Sequence, residues 1–156
     1  MRTDKKELAV AALQNGTVID HIPSSALFNA VRFLGLEKLD KSVTIGYNLA
    51  SKKLGTKGII KVADTYFDDS VLNRIAIIAP TAVVNIIRDF EVVEKKRVTL
   101  PEELVDIIRC NNPKCITNNE PMSTRFDVQA TGGPEGVRLH CHYCNHSVSG
   151  ADARFK

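Results

Sequence analysis

The order of apolar and polar residues predicts alternating strands and helices over the first hundred positions. Several stretches are rich in β-branched residues or alternate between apolar and polar side chains, as half-buried strands do. Two stretches between them carry apolar residues at the three- and four-residue spacing of an amphipathic helix. The predicted strands are 16–22, 43–49, 59–65, 82–87 and 90–93.

Both predicted helices have suitable residues at their ends. Ser24 or Ser25 can cap the first helix, and Gly35 can end it. Asp68 or Asp69 can cap the second helix. Their apolar faces are Leu27, Phe28, Val31 and Leu34 in the first helix and Val71, Leu72, Ile75 and Ile78 in the second.

The resulting order is strand, helix, strand, strand, helix, strand. This order predicts an α+β, ferredoxin-like (split βαβ) domain, in which two helices cover one face of an antiparallel sheet. The fold alone indicates no particular activity, because it is used for many functions.

A second, smaller domain is predicted after a connector. Four charged residues open the stretch 94–100, and Pro101 follows it. We therefore expect one domain at 1–100 and another at 101–156. A unit of this size is close to the limit for a stable core, so a metal is expected to support it. Its predicted β elements are 123–128 and 137–139, with a Gly-rich turn at 132–136.

All four cysteines of the chain lie in this second part. Cys110 and Cys115 form a C-x4-C pair, and Cys141 and Cys144 form a C-x2-C pair 25 residues further on. Two short pairs with a longer segment between them are typical of a tetrahedral Zn²⁺ site. Four thiolates leave no open coordination position, so the expected cofactor is one structural zinc ion.

Other uses of the cysteines remain open at this point. Disulfides are disfavoured if the chain is cytosolic. Redox chemistry needs one C-x-x-C pair at the start of a helix in a thioredoxin-like unit, whereas this sequence has a second pair nearby and no such unit is visible. Spacing does not exclude an iron–sulfur cluster. Three histidines near the second pair are alternative ligands, and three basic residues beside ligands could offset thiolate charge. These residues are His140, His142 and His146, and Arg109, Lys114 and Arg138.

Composition is that of a globular protein. Hydrophobic residues make up 44% of the chain, charged residues 25%, and the net charge is +3. No apolar run approaches the ~18 residues that a membrane span requires, and we expect a soluble, cytoplasmic protein. We find no phosphate-loop, dinucleotide or nucleophile-elbow motif.

Two alternative functions remain. A zinc ribbon that binds nucleic acid would need a concentrated basic surface, for which the candidates are Arg109, Lys114, Arg138 and Lys156. A nucleotide-processing enzyme is the other alternative.

Polar residues interrupt several predicted strands. Asp20 and His21 lie inside an apolar strand, Lys61 follows the apolar stretch 58–60, and Lys95 follows Val92, Val93 and Glu94. Such groups can converge on one anion at an open sheet, or they can be solvated strand ends.

Asp20, His21 and Lys61 also belong to longer motifs that resemble those of one family. The motifs are GTVIDHIP at 16–23, TIG at 44–46, IK at 60–61, AP at 79–80, EVV at 91–93, LP at 100–101 and the cysteine frame. In this order they resemble the regulatory chains of aspartate carbamoyltransferase over nearly the whole sequence.

The resemblance implies a non-catalytic subunit of pyrimidine biosynthesis with an allosteric domain followed by a zinc domain. It implies that regulatory dimers bridge catalytic trimers and that the zinc domain contacts the catalytic chain. The effectors implied are CTP, which generally inhibits, with UTP assisting in some members, and ATP, which generally activates. Neither a nucleic acid nor a membrane is an expected partner.

The resemblance also implies a nucleotide pocket. Asp20 and Lys61 would hold the ribose and base region, and His21 and Lys95 would face the phosphates. Ala11 replaces a glutamate and Phe90 a tyrosine of a well-known member, which affects the nucleotide preference. Residues implied to line the base and sugar are Leu13, Val18, Asn85, Ile87, Phe90 and Val92.

Overall fold

The computed structural model describes residues 12–130 and 136–156. The first part forms a five-stranded sheet with two helices, α1 after the first strand and α2 after the third. The strands are β1 (Gly16–Pro23), β2 (Val43–Ser51), β3 (Gly55–Ala63), β4 (Val83–Arg88) and β5 (Glu91–Arg97). The helices are α1 (Leu27–Leu34) and α2 (Asp69–Ile78).

The sheet has the order β2-β3-β1-β4-β5, and every neighbouring pair is antiparallel. This arrangement confirms the predicted α+β, split βαβ fold, to which β5 adds a fifth strand. Ile19, Ile60 and Val84 are buried on one face, where they share a core with α1 and α2. Because side chains alternate along a strand, their neighbours Val18 and Lys61 point to the opposite face.

The start of the first helix differs from its prediction. Ser24 lies in a short 3-10 turn, Ser24–Ala26, and its hydroxyl donates to Oγ1 of Thr56 at 3.0 Å. Ala26 occupies the N-cap position of α1, so the expected serine cap is wrong. Phe28 is exposed and packs against Tyr47 instead of the core. Gly35 ends α1 in the left-handed conformation (φ 63°), as expected.

Two strands are longer than their sequence pattern indicated. β3 begins at Gly55, so only residues 52–54 turn between β2 and β3. β5 continues through the charged stretch to Arg97, which shortens the expected connector. Asp68 occupies the N-cap position of α2, but its side chain makes no capping hydrogen bond there.

The C-terminal part contains two small sheets and one short helix. One sheet has four strands, 147–149, 137–141, 125–130 and 103–105 in spatial order, and the other pairs 154–155 with 108–109. The predicted Gly-rich turn at 132–136 falls largely outside the described residues. The elements are β6 (Glu103–Val105), β7 (Ile108–Arg109), α3 (Ile116–Asn119), β8 (Arg125–Ala130), β9 (Val137–Cys141), β10 (Ser147–Ser149) and β11 (Arg154–Phe155).

The two parts meet along α1, α2 and the C-terminal segment. Ile77 of α2 is buried in the core of the C-terminal part. The ring of Phe155 packs against Phe33 of α1 with 4.6 Å between centroids, and Asn29 donates to the Ala151 carbonyl at 3.0 Å. No helix in the described ranges is long and apolar enough to cross a membrane.

Candidate functional site

The four cysteine sulfurs form one compact cluster. All four Sγ atoms lie within 4.8 Å of one another, with 3.5 Å between Cys110 and Cys144 and 3.8 Å between Cys115 and Cys141. Four sulfurs about 2.3 Å from a central Zn²⁺ would be about 3.8 Å apart, whereas disulfide sulfurs are about 2.05 Å apart. The donor set and its spacing therefore fit one tetrahedral zinc ion.

Asparagine side chains hold the first cysteine pair in position. Nδ2 of Asn118 donates to the carbonyls of Cys110 and Asn112, at 2.9 and 2.8 Å. The Cys115 amide closes the turn by donating to the Asn112 carbonyl at 3.0 Å. Arg154 adds a cross-link from β11 by donating to the Cys110 carbonyl at 3.0 Å. Sequence reasoning had not identified Arg154, which is distant in sequence from the cysteines.

The second cysteine pair lies at the end of β9. The Cys141 amide donates to the His146 carbonyl at 2.8 Å, and Asn145 turns the chain with a φ of 62°. Both ring nitrogens of His140 have other partners, Ser147 at 2.9 Å and Asn145 at 3.2 Å. Across the described ranges, the metal-ligand cluster contains the four cysteines and no histidine.

The cysteines differ in how readily they ionise. Burial raises the pKa of the Cys110 and Cys141 thiols. Burial also opposes ionisation of Cys144, but hydrogen bonds from the Asn112 side chain and the His146 backbone outweigh it and lower the pKa of Cys144 to about 7. Thiols must lose their protons to bind zinc, so metal binding at this cluster releases protons and depends on pH.

A second group of polar residues crosses the sheet on the face away from the helices. Val18 is paired with Lys61 on one side and with Asn85 on the other, and Asn85 is paired with Lys95. Paired residues in neighbouring strands share a face, so these four side chains form one row. Four of the residues implied for the nucleotide pocket therefore lie side by side.

A β-bulge places Asp20 and His21 next to this row. The pairing of β1 with β3 shifts between Ile19 and Ile22, so that two residues of β1 face one of β3. His21 has a φ of 58°, and its Nδ1 is buried without a hydrogen-bond partner in the described structure. The Asp20 carboxylate forms an ion pair with Lys57 at 2.9 Å, a contact that was not foreseen from the sequence.

One end of this face is a cationic cleft of about 310 Å³. His21 and Lys95, both implied to face phosphates, line it together with Lys53 and Arg97. Lys53 and Arg97 were not predicted from the sequence. For Arg97 a signal existed, since it lies two positions from Lys95 and therefore on the same face of β5.

The other end carries most of the apolar residues implied to contact the base. Ile87 is paired with Val92, and Phe90 lies in the turn between their strands with its ring 63% exposed. The Phe90 amide donates to the Gln14 carbonyl at 2.9 Å, which fixes the segment that contains Leu13 against this turn. Leu13 and Lys61 line one cleft of about 220 Å³. Ala11 lies outside the described residues.

The C-terminal part is a small β unit with a four-cysteine metal site, and the N-terminal part is a sheet whose open face carries polar residues. Together they indicate the class of metal-containing proteins with a candidate ligand-binding face. Comparison with protein families gives two matches, and together they span most of the chain. Residues 8–99 match the aspartate carbamoyltransferase regulatory chain, allosteric domain, and residues 102–154 match its metal binding domain.

Individual relatives agree with these matches. The aspartate carbamoyltransferase regulatory chain of Parabacteroides distasonis is 56% identical over 152 residues, which is 97% of either chain. That of Bacteroides fragilis is 58% identical over 92% of either chain. The chain of Thermococcus gammatolerans is 43% identical over 94% of this sequence and 95% of its own.

This chain belongs to the family of aspartate carbamoyltransferase regulatory chains. It is a non-catalytic subunit, and its partner is the catalytic chain of the enzyme. The metal-binding match and the sulfur geometry together confirm the predicted structural zinc site.

Proposed function

We propose that the N-terminal domain, residues 1–100, binds nucleoside triphosphates of the CTP and ATP type in the cytoplasm. Occupancy then alters aspartate saturation of catalytic trimers that contact the zinc domain, residues 101–156. The observation that carries this proposal is the row formed by Val18, Lys61, Asn85 and Lys95, which runs across the helix-free face of the sheet.

The cationic cleft suits the triphosphate. His21, Lys53, Lys95 and Arg97 come from three separate segments and line one space of about 310 Å³. Lysine and arginine form charge-assisted hydrogen bonds with phosphate oxygens, and arginine can contact two oxygens at once. The His21 imidazole adds a further polar group to this lining.

The rest of the face suits the base and the sugar. The Asn85 amide has donors and an acceptor for the base edge, and the Phe90 ring offers an apolar surface. Nearer the cationic cleft, at the bulge, Asp20 can accept hydrogen bonds from ribose hydroxyls while Lys57 continues to balance its charge. In this orientation the nucleotide crosses the row parallel to β4, with its base near Ile87 and its phosphates near Lys95 and Arg97.

Nucleotide binding is tested by calorimetry on the zinc-loaded chain with CTP and ATP. Lys95→Ala removes a cation from the cleft, so we expect an affinity loss of about tenfold or more. Lys96→Ala is the matched control, because Lys96 pairs with Asp69 at 2.8 Å, a hydrogen bond that raises the pKa of its ammonium group. Equal losses in the two variants, or no binding by the unmodified chain, would contradict the proposal.

We further propose that two regulatory chains pair through β2. β2 is an edge strand without a charged residue, and its Tyr47 side chain is 53% exposed. The opposite edge, β5, carries five charged residues in seven, which is how sheet edges avoid pairing. Antiparallel pairing of two β2 strands would give a continuous ten-stranded sheet.

The metal-binding domain supplies the proposed contact with the catalytic chain. Val105, Ile116 and Tyr143 are exposed on it, and the last two follow metal ligands closely in sequence. Exposed aromatic and aliphatic residues on a rigid metal-held turn suit a protein interface. Mixing the chain with catalytic trimers and measuring mass, and then aspartate saturation with and without CTP or ATP, tests assembly and regulation together.

A further inference from the structure

A groove of about 710 Å³ lies between α1, α2 and the C-terminal segment 150–156. Its volume falls in the range of about 300–1,000 Å³ that is typical of sites for small organic ligands. Residues of both parts of the chain line it, and none of the residues assigned above to the nucleotide or the zinc ion does.

The apolar wall of the groove is largely aromatic. Phe33 of α1, Phe67 before α2 and Phe155 of β11 line it, and each is half-buried. The rings of Phe33 and Phe155 are inclined at 43° to each other. A flat ring entering this space could make stacked or edge-on contacts with them, which are the favoured aromatic geometries.

Two arginines in the groove lack a carboxylate partner. Arg74 is half-buried and has no hydrogen bond or ion pair within the described structure, and Arg32 has only the side-chain oxygen of Asn29. Of the other charged lining residues, Lys156 is paired with Asp106, and the Asp152 carboxylate accepts a hydrogen bond from the Ser149 hydroxyl but keeps its negative charge. A partly desolvated guanidinium without a partner is unfavourable, and a bound anion would relieve that cost.

From these contacts we infer that the groove is a second ligand site, specific for a small organic anion with an aromatic body. The anionic group, a carboxylate, sulfonate or phosphate, accepts hydrogen bonds from Arg74 and Arg32, and the aromatic body packs among Phe33, Phe67 and Phe155. Guanidinium groups suit this role because they bind planar and tetrahedral oxyanions through paired hydrogen bonds.

Two fluorescent probes test the inference on the full zinc-loaded chain in the presence of saturating CTP. The first is 1-anilinonaphthalene-8-sulfonate, and the second is N-phenyl-1-naphthylamine, which has the same rings without the sulfonate. We expect one sulfonate probe per chain, with Arg74→Gln lowering its affinity about tenfold and leaving that of the neutral probe unchanged. Arg74→Lys should retain part of the affinity, because it keeps the charge.

Arg88→Gln is the matched control, since Arg88 lies over the Tyr66 ring and outside the groove. Thermal unfolding and zinc content of each variant show whether it remains folded. Loss of bound sulfonate probe when CTP is raised from zero to saturation, in a separate titration, would place the probe in the nucleotide site and overturn the inference. Equal affinity of Arg74→Gln and the unmodified chain, or an equal loss in Arg88→Gln, would also overturn it.

Discussion

Gly150 lies where the C-terminal segment crosses α2. A Cβ atom at this position would lie 2.0 Å from the carbonyl oxygen of Ile77, a backbone atom that cannot move without distorting the helix. Gly150→Ala should therefore push the segment away from α2 and lower the free energy of unfolding by about 1–3 kcal/mol, the usual cost of overpacking. Thermal denaturation measures the change.

The control for this variant is Ala151→Ser, which adds one atom at the neighbouring exposed position. Its free energy of unfolding should lie within about 0.5 kcal/mol of that of the unmodified chain, as is usual for surface substitutions. A Gly150→Ala chain as stable as this control would mean that the contact with Ile77 is looser than the structure indicates.

His21 shows how much of the role of a single residue could be predicted from the sequence. Its position between apolar residues marked it as unusual, and the family resemblance implied a phosphate contact. The bulge that turns it toward Lys95 depends on how β1 pairs with β3, which are distant in sequence. Lys53 was missed for the same reason, because only the folded sheet brings it to His21, whereas Arg97 had a local signal in its spacing from Lys95.

Turns, helices and strands were predicted correctly where the sequence signal for them lay within a few neighbouring residues. The cysteine frame was predicted in full because each pair closes a short turn, and α1 ends at Gly35 as its conformational freedom suggests. The end of β5 was misjudged because Glu94 and the three basic residues after it resemble a linker. They belong to a strand whose outer edge is exposed, where charge is tolerated.

The edge strand β2 gives a prediction for the proposed regulatory dimer. Tyr47→Lys places a charge on the only uncharged edge of the five-stranded sheet and should shift the chain from dimer to monomer. Val93→Lys makes the same change on β5 and should leave the dimer intact. Sedimentation at several protein concentrations distinguishes them, and dissociation by Val93→Lys alone would place the interface on β5.

For the whole molecule, metal removal should separate the stability of the two parts. The cysteines belong to the core that contains Phe126 and Leu139, so chelation or Cys144→Ser leaves this core without its central cross-link. Hydrogen exchange should show that β8 and β9 lose protection while β1 and β4 remain protected. The metal-free chain should also no longer bind catalytic trimers, which a measurement of mass detects. Retained protection of β9 in metal-free protein would contradict the zinc-dependent fold.

In the proposed regulation, the effect of the nucleotide must pass through the contacts that join the two parts, and Phe33 provides a direct test. Its ring packs on Phe155 of β11, and Arg154 in the same strand is bonded to the Cys110 carbonyl beside the metal. Phe33→Ala should leave CTP affinity and trimer binding close to normal but reduce the effect of CTP on aspartate saturation. A typical coupling free energy is about 1–3 kcal/mol, so the loss should be measurable. Phe28→Ala, on the same helix but against Tyr47, is the control, and an equal loss there would exclude a specific route through Phe155.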